Sequence, residues 1–310
     1  MTPAAIRAAA ARIHPYIVHT PMLHNAALDH AVGAIVLIKP EVLQHTGSFK
    51  LRGATNALLQ LAQNQRAAGV VTYSSGNHGQ AIACAAAALG MPAIIVMPAD
   101  APATKREATA FWGAEIVLYD RQHENREAIA AELVAQRQAV LIPPYEHADV
   151  IAGQGTLALE LAADAALAGV TMDCFLTPAG GGGLAAGCAL ALSDVSPLTR
   201  IYTVEPEGWD DTARSLAAGE RLANSGRGSL FCDSLLTPIP GEMTFAINKQ
   251  FVSAGFAVND EDVRAAQGFA AKHLKLVVEP GGAVALAALL ANKIHVAGQV
   301  AGLVLSGGNI

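Results

Sequence analysis

The sequence predicts an α/β fold in which mainly parallel sheets are covered by helices on both faces. Three observations support this prediction. The strand candidates are continuous apolar runs without polar alternation, as expected for strands that are buried on both faces. They alternate with helix-like segments along almost the whole chain. The connections between them are short, which is typical of parallel strands joined by helical crossovers.

The predicted elements follow one another regularly from the first strand onward. We predict strands over residues 34–38, 70–74, 93–97, 115–119, 140–142, 172–176, 200–205 and 302–306. We predict helices over residues 51–68, 79–89, 104–112, 121–138, 151–167 and 184–192.

A block of four compact strand–helix units occupies residues 70–144. It is bounded by Gly69 and by Pro143-Pro144, residue types that interrupt secondary structure. We therefore predict a small domain over residues 70–144, inserted into a large domain formed by residues 1–69 and 145–310. Residues 206–260 are rich in Gly and Pro, and we expect irregular loops there that line the substrate side.

The composition excludes several classes of protein. Of the 310 residues, 52% are hydrophobic and 15% are charged, which indicates a well-packed globule. Basic residues number 20 and acidic residues 26, the net charge is −6, and no Lys/Arg run occurs, so neither nucleic acid nor a membrane is expected as a partner. No uninterrupted apolar stretch is long enough to cross a bilayer. The four cysteines form no CxxC pair and the ten histidines no HExxH motif, so we expect reduced thiols, a cytoplasmic location and no zinc site.

Lys50 follows a Gly-Ser turn in the run TGSFK, between a strand candidate and a predicted helix. An ordinary lysine at this place would lie on the solvated face of the helix. A lysine held partly desolvated on the turn would instead lose basicity and act as a nucleophilic amine or a base. Lys50 alone does not decide between these two hypotheses.

The run SSGNHGQ, residues 74–80, follows one strand candidate and opens a helix. Ligands bind at this strand-to-helix position in open α/β sheets. The free N–H groups at a helix start favour an anion, and the Ser and Asn side chains add hydrogen-bond donors. A plain N-cap with a glycine turn needs fewer polar and small residues than this run contains. We therefore predict a carboxylate-binding loop.

Four consecutive glycines lie between a strand candidate and an Ala-rich helix: Gly180, Gly181, Gly182 and Gly183. They let the backbone approach an anion closely, beside the N–H groups of the helix start. The loop fits neither GxGxxG followed by an acidic residue nor GxxxxGK[ST], which argues against nicotinamide dinucleotides and P-loop nucleotides. A flexible turn would leave the ordering of four glycines uncompensated, so we predict a site for the phosphate monoester of a cofactor.

Ser306 follows the last strand candidate, in the run SGGN. At that position it could contact a ligand in the crevice, although a simple turn explains the run equally well. A reactive lysine, a phosphate loop, a carboxylate loop and a serine at a strand end together suit pyridoxal 5′-phosphate. We therefore predict that cofactor.

Seven motifs of this chain resemble those of the threonine/serine dehydratase and serine racemase family. They are TGSFKLR (46–52), SSGNHGQ (74–80), VIAGQGT (150–156), GGGGL (180–184), VEP (204–206), EP (279–280) and LSGGN (305–309). They occur in the family's order over essentially the whole chain. The resemblance implies the pyridoxal-phosphate fold type II, similar to the β subunit of tryptophan synthase, and a homodimer.

The resemblance also assigns roles to the predicted cofactor site. Lys50 would form the Schiff base, Phe49 would pack near the ring, and Asn77 would bond the ring hydroxyl. The four glycines would bind the phosphate. Ser306 would contact the pyridine nitrogen, and a serine hydroxyl can donate to an unprotonated nitrogen, whereas a carboxylate would stabilise the charged ring. Because an unprotonated ring withdraws electrons weakly, it favours rapid loss of a β-hydroxyl group.

The activity implied by the resemblance is that of an ammonia-lyase, which removes water and ammonia from a β-hydroxy amino acid such as L-threonine or L-serine. The freed Lys50 would remove the α-proton. Five consecutive residues would bind the α-carboxylate of this small amino-acid substrate: Ser74, Ser75, Gly76, Asn77 and His78.

Ser75 leads to an alternative function. In racemases that resemble this chain, a serine at the matching place protonates the opposite face of the substrate carbanion, so an amino-acid racemase is one alternative. Hydroxyaspartate dehydratases also resemble this pattern and are a second. A non-catalytic binding protein on the same scaffold is a third, which the presence of Lys50 disfavours.

Glu205, Trp209 and Asp211 match the divalent-cation site of racemase-like relatives, where two carboxylates and a main-chain carbonyl bind magnesium, calcium or manganese. The alternative is a loop with solvated acids. Cys232-Asp233-Ser234 stands where relatives carry Ala-Asp-Gly at the active site. The shape of the pocket and the range of substrates are therefore expected to differ from theirs.

Overall fold

The computed structural model describes residues 1–74 and 76–310, which form thirteen α-helices and ten β-strands in two separate sheets. Parallel pairing dominates both sheets, which confirms the predicted α/β fold. The strands are β1 (Leu23–His24), β2 (Ile35–Pro40), β3 (Val70–Tyr73), β4 (Ala93–Pro98), β5 (Glu115–Tyr119), β6 (Val140–Leu141), β7 (Cys174–Pro178), β8 (Arg200–Pro206), β9 (Ala254–Val258) and β10 (Val300–Leu305).

Helices cover both faces of the two sheets. They are α1 (Pro3–Ile13), α2 (Ala26–Val32), α3 (Lys50–Leu59), α4 (Gln63–Ala68), α5 (Asn77–Ala88), α6 (Ala103–Ala110), α7 (Arg126–Arg137), α8 (Ala148–Leu167), α9 (Gly183–Val195), α10 (Asp211–Ala218), α11 (Glu242–Phe251), α12 (Asp260–Phe269) and α13 (Pro280–Leu290). Short 3-10 turns at His14–Tyr16, Glu41–Leu43 and Asp233–Leu235 and a π-helical turn at Ala270–Leu274 complete the described elements.

The larger sheet has the strand order β1-β2-β10-β7-β8-β9. β1 is antiparallel to β2, and every other neighbouring pair is parallel. The pairing of β10 with β2 aligns Leu305 with Pro40, and an isolated bridge between Ser48 and Gly307 follows it. This topology places Ser306 beside the turn that precedes α3.

The smaller sheet is entirely parallel, with the order β5-β4-β3-β6. One of its faces shares a hydrophobic cluster with α3, in which Leu51 and Leu58 pack with Ile82 and Ile95. The other face packs against α7 through a cluster that contains Val96. The predicted domain boundaries at residues 69/70 and 144/145 stay a prediction.

Two predictions about individual elements are wrong. The single helix predicted over residues 51–68 is two helices, because Gln60 and Leu61 donate to carbonyls three residues back and Ala62 is extended, which ends α3. The region 206–260, predicted as irregular loops, contains α10, α11 and the edge strand β9. Its Gly and Pro residues lie between these elements, and their number concealed three short but regular segments.

Helix α8 has the length and mean hydropathy of a membrane-spanning helix, although polar and charged residues interrupt its apolar sequence. Most of its apolar window is buried inside the protein, and residues such as Leu157 and Leu161 pack in the core beside α9. Helix α8 is therefore explained as a core helix.

Candidate active site

A cavity of about 530 Å³ lies at the carboxyl ends of β3 in the smaller sheet and of β7 and β10 in the larger sheet. The cavity brings together all the predicted cofactor and substrate residues that the structure describes. Ser75, predicted as a catalytic and substrate-binding residue, lies outside the described residues. The predicted residues that line the cavity are Phe49, Lys50, Ser74, Gly76, Asn77, His78, Gly180, Gly181, Gly182, Gly183 and Ser306.

Lys50 is the first residue of α3, and its side chain enters the cavity from the turn before the helix. Gly47 makes that turn with a φ of +65°, a conformation that favours glycine. The Lys50 amine donates to the carbonyl oxygen of Pro144 at 2.7 Å and lies 5.2 Å from the centre of the Phe49 ring. Burial lowers the pKa of Lys50 to about 8, and the nearby Glu279 opposes part of that effect. An amine of this basicity is a competent nucleophile near neutral pH.

Two residues beyond Lys50, Arg52 anchors α3 in a largely buried ion cluster. Its guanidinium binds Glu41 at 2.8 Å and Glu160 at 2.7 Å, and Lys39 binds the same Glu160 at 2.6 Å. Two cations thus face two carboxylates, which compensates the charges where water is excluded. The cluster joins α3 to β2 and α8 and so fixes the helix that carries Lys50.

The start of α5 contains most of the run predicted to bind a carboxylate. Gly76 is the N-cap residue, and its N–H donates to Ser74 Oγ at 3.3 Å. The first N–H groups of the helix have no partner within the helix, so they are available to an anion in the cavity. A Cβ atom at Gly79 would lie 2.7 Å from the Ser74 carbonyl oxygen, so glycine is needed to bring α5 this close to the end of β3.

His78 is neutral in the folded protein. Burial, followed by the repulsion from Lys50, lowers its pKa to about 3. Its Nε2 lies 3.0 Å from the carbonyl oxygen of Ile142, which can only accept, so the proton resides on Nε2. The imidazole therefore brings no charge to a substrate carboxylate, and the backbone N–H is the group that His78 can offer.

The glycine loop presents its N–H groups to the cavity side. Thr244 Oγ1 donates to the Gly181 carbonyl oxygen at 2.7 Å, and Asn248 Nδ2 donates to that of Gly182 at 3.3 Å, both from α11. In a trans peptide the next N–H points opposite to the C=O, so the N–H groups of Gly182 and Gly183 point away from α11. Helix α9 begins at Gly183, which adds its positive end.

The same loop has no room for side chains. A Cβ atom at Gly181 would lie 2.3 Å from Tyr145 Cγ, and Gly182 has a φ of +84°. The close contact at Gly181 and the positive φ of Gly182 therefore require glycine at these two positions.

Ser306 is nearly buried at the end of β10. Its carbonyl oxygen accepts the Phe49 N–H at 3.0 Å, so the backbone of this strand end is tied to the residue before Lys50. Ser306 lines the cavity, and its hydroxyl group would be free to donate to the ring nitrogen of a bound pyridoxal phosphate.

The predicted metal residues Glu205, Trp209 and Asp211 do not line the cavity. Nowhere among the described residues do three His, Cys, Asp or Glu side chains come together in a group that could hold a metal ion. Both Glu205 carboxylate oxygens accept N–H groups at the start of α10, whereas Asp211 Oδ2 is buried with no partner among the described residues. Burial raises the pKa of Glu205 well above its usual value and that of Asp211 to about 6. Trp209 donates its indole N–H to Ser229, which leaves the tryptophan carbonyl as the remaining predicted ligand.

The residues of the cavity wall that were given no role from the sequence include Lys105, Arg126, Tyr145 and Glu279. Glu279 belongs to the EP motif, which was a signal without an assigned role. No local pattern distinguishes the other three from surface residues, because their positions depend on how α6, α7 and the segment before α8 pack.

The chemistry of these groups fits pyridoxal phosphate. The cavity offers an amine of lowered basicity, a glycine cradle at a helix N-terminus for the phosphate, and a serine hydroxyl and an asparagine amide for the ring. No further cation on the glycine loop is needed, because backbone N–H groups and the helix end supply the positive potential.

Comparisons with known proteins agree with this fit. The family model described as "Pyridoxal-phosphate dependent enzyme" matches residues 13–307. The chain is 42% identical to L-threo-3-hydroxyaspartate ammonia-lyase of Saccharomyces cerevisiae, over 96% of this chain and 90% of that protein. It is 39% identical to serine racemase of Schizosaccharomyces pombe, over 98% and 93%. The solved structure of maize serine racemase superposes with a TM-score of 0.95 at 37% identity, over 100% of this chain and 94% of that one. The chain belongs to the family of pyridoxal-phosphate-dependent enzymes.

Proposed function

We propose that this enzyme is an ammonia-lyase that removes water and ammonia from a β-hydroxy amino acid. The observation that carries the proposal is the position of Lys50 in one cavity with two helix N-termini, those of α5 and α9. One helix start suits the cofactor phosphate and the other suits a substrate carboxylate. The amine between them would reach the α-carbon of a substrate that is held by its carboxylate.

The chemistry divides between the cofactor and the chain. Pyridoxal phosphate, when bound, supplies an aldehyde that takes up the substrate amine and a ring that draws electrons from the α-carbon. The freed Lys50 would remove the α-proton, since its lowered pKa leaves about one-tenth of the amine unprotonated at pH 7, far more than for an ordinary lysine. The start of α5 would hold the α-carboxylate and thereby direct the Cα–H bond toward Lys50. Ser306 would donate its hydroxyl hydrogen to the ring nitrogen.

The cavity wall carries a cation, Arg126, beside the acid Glu127. Arg126 lies 5.3 Å from the centre of the Tyr73 ring, and both residues line the cavity. The guanidinium pairs with Glu127 at 2.9 Å, but both side chains are about half exposed, so water already screens this pair. A second carboxylate on the substrate would therefore find a cation with free donors.

This charge favours 3-hydroxyaspartate over threonine as the substrate. The β-carboxylate of hydroxyaspartate would engage Arg126, whereas the methyl group of threonine would leave the guanidinium with only Glu127 and solvent as partners. Relatives named L-threo-3-hydroxyaspartate ammonia-lyase are 42% and 43% identical to this chain, which supports the same preference. L-threonine and L-serine remain the alternative substrates of the proposed reaction.

An amino-acid racemase is the second candidate function, because serine racemases are among the relatives at 39% identity. The racemase needs a proton donor on the face of the substrate opposite Lys50. Ser75, predicted for that role, lies outside the described residues, so the proposal of racemization rests on the relatives alone.

One assay separates these functions. The purified holoenzyme is incubated with L-threo-3-hydroxyaspartate, L-threonine and L-serine, and both the 2-oxo acid and the D-enantiomer are measured. We expect 2-oxo acid and ammonia in equal amounts, with the highest kcat/KM for hydroxyaspartate. A D-enantiomer that forms faster than the 2-oxo acid on every substrate would contradict the proposed lyase and support the racemase.

A further inference from the structure

Asn77 has both ends of its side-chain amide bonded to protein groups. Its Nδ2 donates to Glu279 Oε1 at 2.5 Å, and its Oδ1 accepts from Asn309 Nδ2 at 2.7 Å. These two partners come from distant parts of the chain, the start of α13 and the segment after β10. Asn77 also lines the cavity. An amide of the cavity wall is thus held by two other side chains.

The orientation of this amide follows from the chemistry of its partners. Asn309 Nδ2 also reaches the carbonyl oxygen of Thr46 at 2.8 Å, and that carbonyl can only accept. The nitrogen of Asn309 is therefore the atom that faces Asn77 Oδ1. Because Asn309 presents a donor to Asn77, the oxygen of the Asn77 amide must face Asn309, and its nitrogen faces Glu279.

One hydrogen of Asn77 Nδ2 remains after the bond to Glu279, because a primary amide carries two N–H groups. We propose that Glu279 and Asn309 are positioning residues which hold the Asn77 amide with this second N–H toward the phenolic oxygen of the bound cofactor. The inference rests on the proposed function only in that it needs the cofactor in the cavity. Neither positioning residue has to touch the substrate.

Asn309 connects this amide to the lysine turn as well. Asn309 bonds the carbonyl oxygen of Thr46, and the N–H of the neighbouring Gly308 donates to the Gly47 carbonyl oxygen at 2.9 Å. A Cβ atom at Gly47 would lie 2.5 Å from Asn309 Oδ1, so the two segments are in close contact. The Asn309 side chain therefore connects Asn77, the proposed contact of the cofactor ring, to the turn that carries Lys50. The positions of Asn77 and Lys50 are thereby fixed relative to each other.

The orientation has an electronic consequence. An N–H group that donates to the phenolic oxygen stabilises its ionised form, whereas a reversed amide would present a lone pair to the same oxygen. The ionised and neutral forms of the cofactor ring absorb at different wavelengths. The absorption spectrum of the resting holoenzyme thus reports the direction in which Asn77 points, without any turnover.

The test uses the holoenzyme and the variant Asn309→Ala, which removes the donor to Asn77 Oδ1. We expect the visible band to lose intensity to the near-ultraviolet band, and the dissociation constant of pyridoxal phosphate to rise by about tenfold, the size of one hydrogen bond that is lost on a charged oxygen. Glu279→Ala should shift the spectrum in the same direction, because it frees the other end of the amide. This second variant decides the question if Asn309→Ala does not fold.

A double variant shows whether Asn309 acts through Asn77. In an Asn77→Ala background, the additional change Asn309→Ala should leave the spectrum as it is, because the amide to be oriented is gone. The matched control is Asn25→Ala. Asn25 caps α2 and donates to His273, far from the cavity, so this variant should keep the wild-type spectrum.

Two results would overturn the inference: an unchanged spectrum in both Asn309→Ala and Glu279→Ala, or additive spectral shifts in the double variant. A wild-type holoenzyme that shows the visible band but makes no 2-oxo acid would contradict the proposed lyase function instead. That outcome leaves this inference standing, since the spectrum is measured without substrate.

Discussion

The amine of Lys50 donates a hydrogen bond of 2.7 Å to the main-chain carbonyl oxygen of Pro144. Pro144 lies on the segment that returns from the four-stranded sheet to α8, so the bond ties the start of α3 to that return. A carbonyl is a neutral acceptor and compensates the charge of an ammonium only in part. Burial therefore dominates and lowers the pKa of Lys50 to about 8.

The lowered pKa predicts how cofactor-free protein takes up pyridoxal phosphate. Only the unprotonated amine attacks the aldehyde, so the uptake rate should rise about tenfold per pH unit and level off above pH 8. An ordinary lysine would keep accelerating to about pH 10.5. Stopped-flow absorbance of the visible band, followed between pH 6 and pH 10 at constant ionic strength, measures the profile.

Lys50→Ala is the control for this profile, and it should show no visible band at any pH. Reduction of the wild-type holoenzyme with borohydride, followed by peptide mass spectrometry, should locate the cofactor on Lys50. A rate that still climbs beyond pH 9 would mean that the attacking amine is not desolvated.

Arg126 predicts the charge preference for the substrate. Replacement by methionine keeps most of the side-chain length but removes the cation. Because a charge-assisted hydrogen bond contributes about 1.5–3 kcal/mol, kcat/KM for L-threo-3-hydroxyaspartate should fall about 10- to 100-fold. Activity on L-threonine should change little or improve, since threonine has no charge to pair.

The matched control for Arg126 is Arg121→Met. Arg121 is an exposed arginine, paired with Asp100, in the loop before α7 rather than on the cavity wall. Its loss should leave the ratio of the two kcat/KM values at the wild-type level. An equal loss on both substrates in Arg126→Met would show that the arginine supports the fold of the cavity and not the recognition of a carboxylate.

The close contact between Gly181 and Tyr145 predicts that no residue larger than glycine fits at position 181 without a shift of the ring or the loop. In Gly181→Ala the new Cβ would lie 2.3 Å from Tyr145 Cγ, so the ring or the loop has to move. Overpacking of this kind costs about 1–3 kcal/mol, which corresponds to a rise of about 5- to 150-fold in the dissociation constant of the cofactor. Equilibrium dialysis measures the constant directly.

Two further variants isolate the cause of that loss. Gly181→Ala combined with Tyr145→Ala should regain much of the cofactor affinity, because the clashing ring is gone. Gly268→Ala, in α12 with open space around it, should bind the cofactor normally and gain up to about 1 kcal/mol in the free energy of unfolding. If the double variant binds no better than Gly181→Ala, the loop requires glycine for its own backbone and not for Tyr145.

The part of the site that sequence reasoning predicted consists of strand ends and helix starts. Lys50, Asn77, Gly182 and Ser306 each follow a buried strand, and parallel strands bring such positions to one edge of a sheet. Strand ends and helix starts of this kind can be recognised from the sequence, because a glycine run or a polar residue at a helix start is defined by consecutive residues and not by contacts with distant segments. The order of the strands depends on pairing between distant segments, so only the structure shows that β10 lies inside the larger sheet.

The missed residues are those whose role depends on packing between segments. Arg126 begins α7 and resembles any arginine at a helix start, and only the docking of α7 on the four-stranded sheet brings it beside Tyr73. Glu279 becomes recognisable through Asn77 and Asn309, which are distant in sequence. The missed elements α10, α11 and β9 have the same explanation, since their regularity comes from tertiary packing more than from intrinsic propensity.

The buried pair Glu205 and Asp211 predicts that a divalent cation stabilises the fold. Two acids whose pKa values are raised by burial hold unfavourable charge, and Asp211 Oδ2 has no partner among the described residues. A magnesium, calcium or manganese ion bound by these oxygens and the Trp209 carbonyl would compensate that charge. At about 100 times its dissociation constant such an ion adds about 2.7 kcal/mol to the free energy of unfolding, or several degrees in Tm.

The pH dependence of this stabilisation follows from the direction of the pKa shifts. A proton competes with the cation for each acid, and because the pKa of Asp211 is raised to about 6, the competition extends to nearly neutral pH. The Tm gain should therefore be larger at pH 8 than at pH 6. Differential scanning fluorimetry with calcium, magnesium, manganese and EDTA measures it. Asp211→Asn should abolish the gain, whereas Asp210→Asn, beside it but paired with Arg214, should retain it. A wild-type Tm that is insensitive to all three ions would contradict the cation site and leave Glu205 as an acid that caps α10.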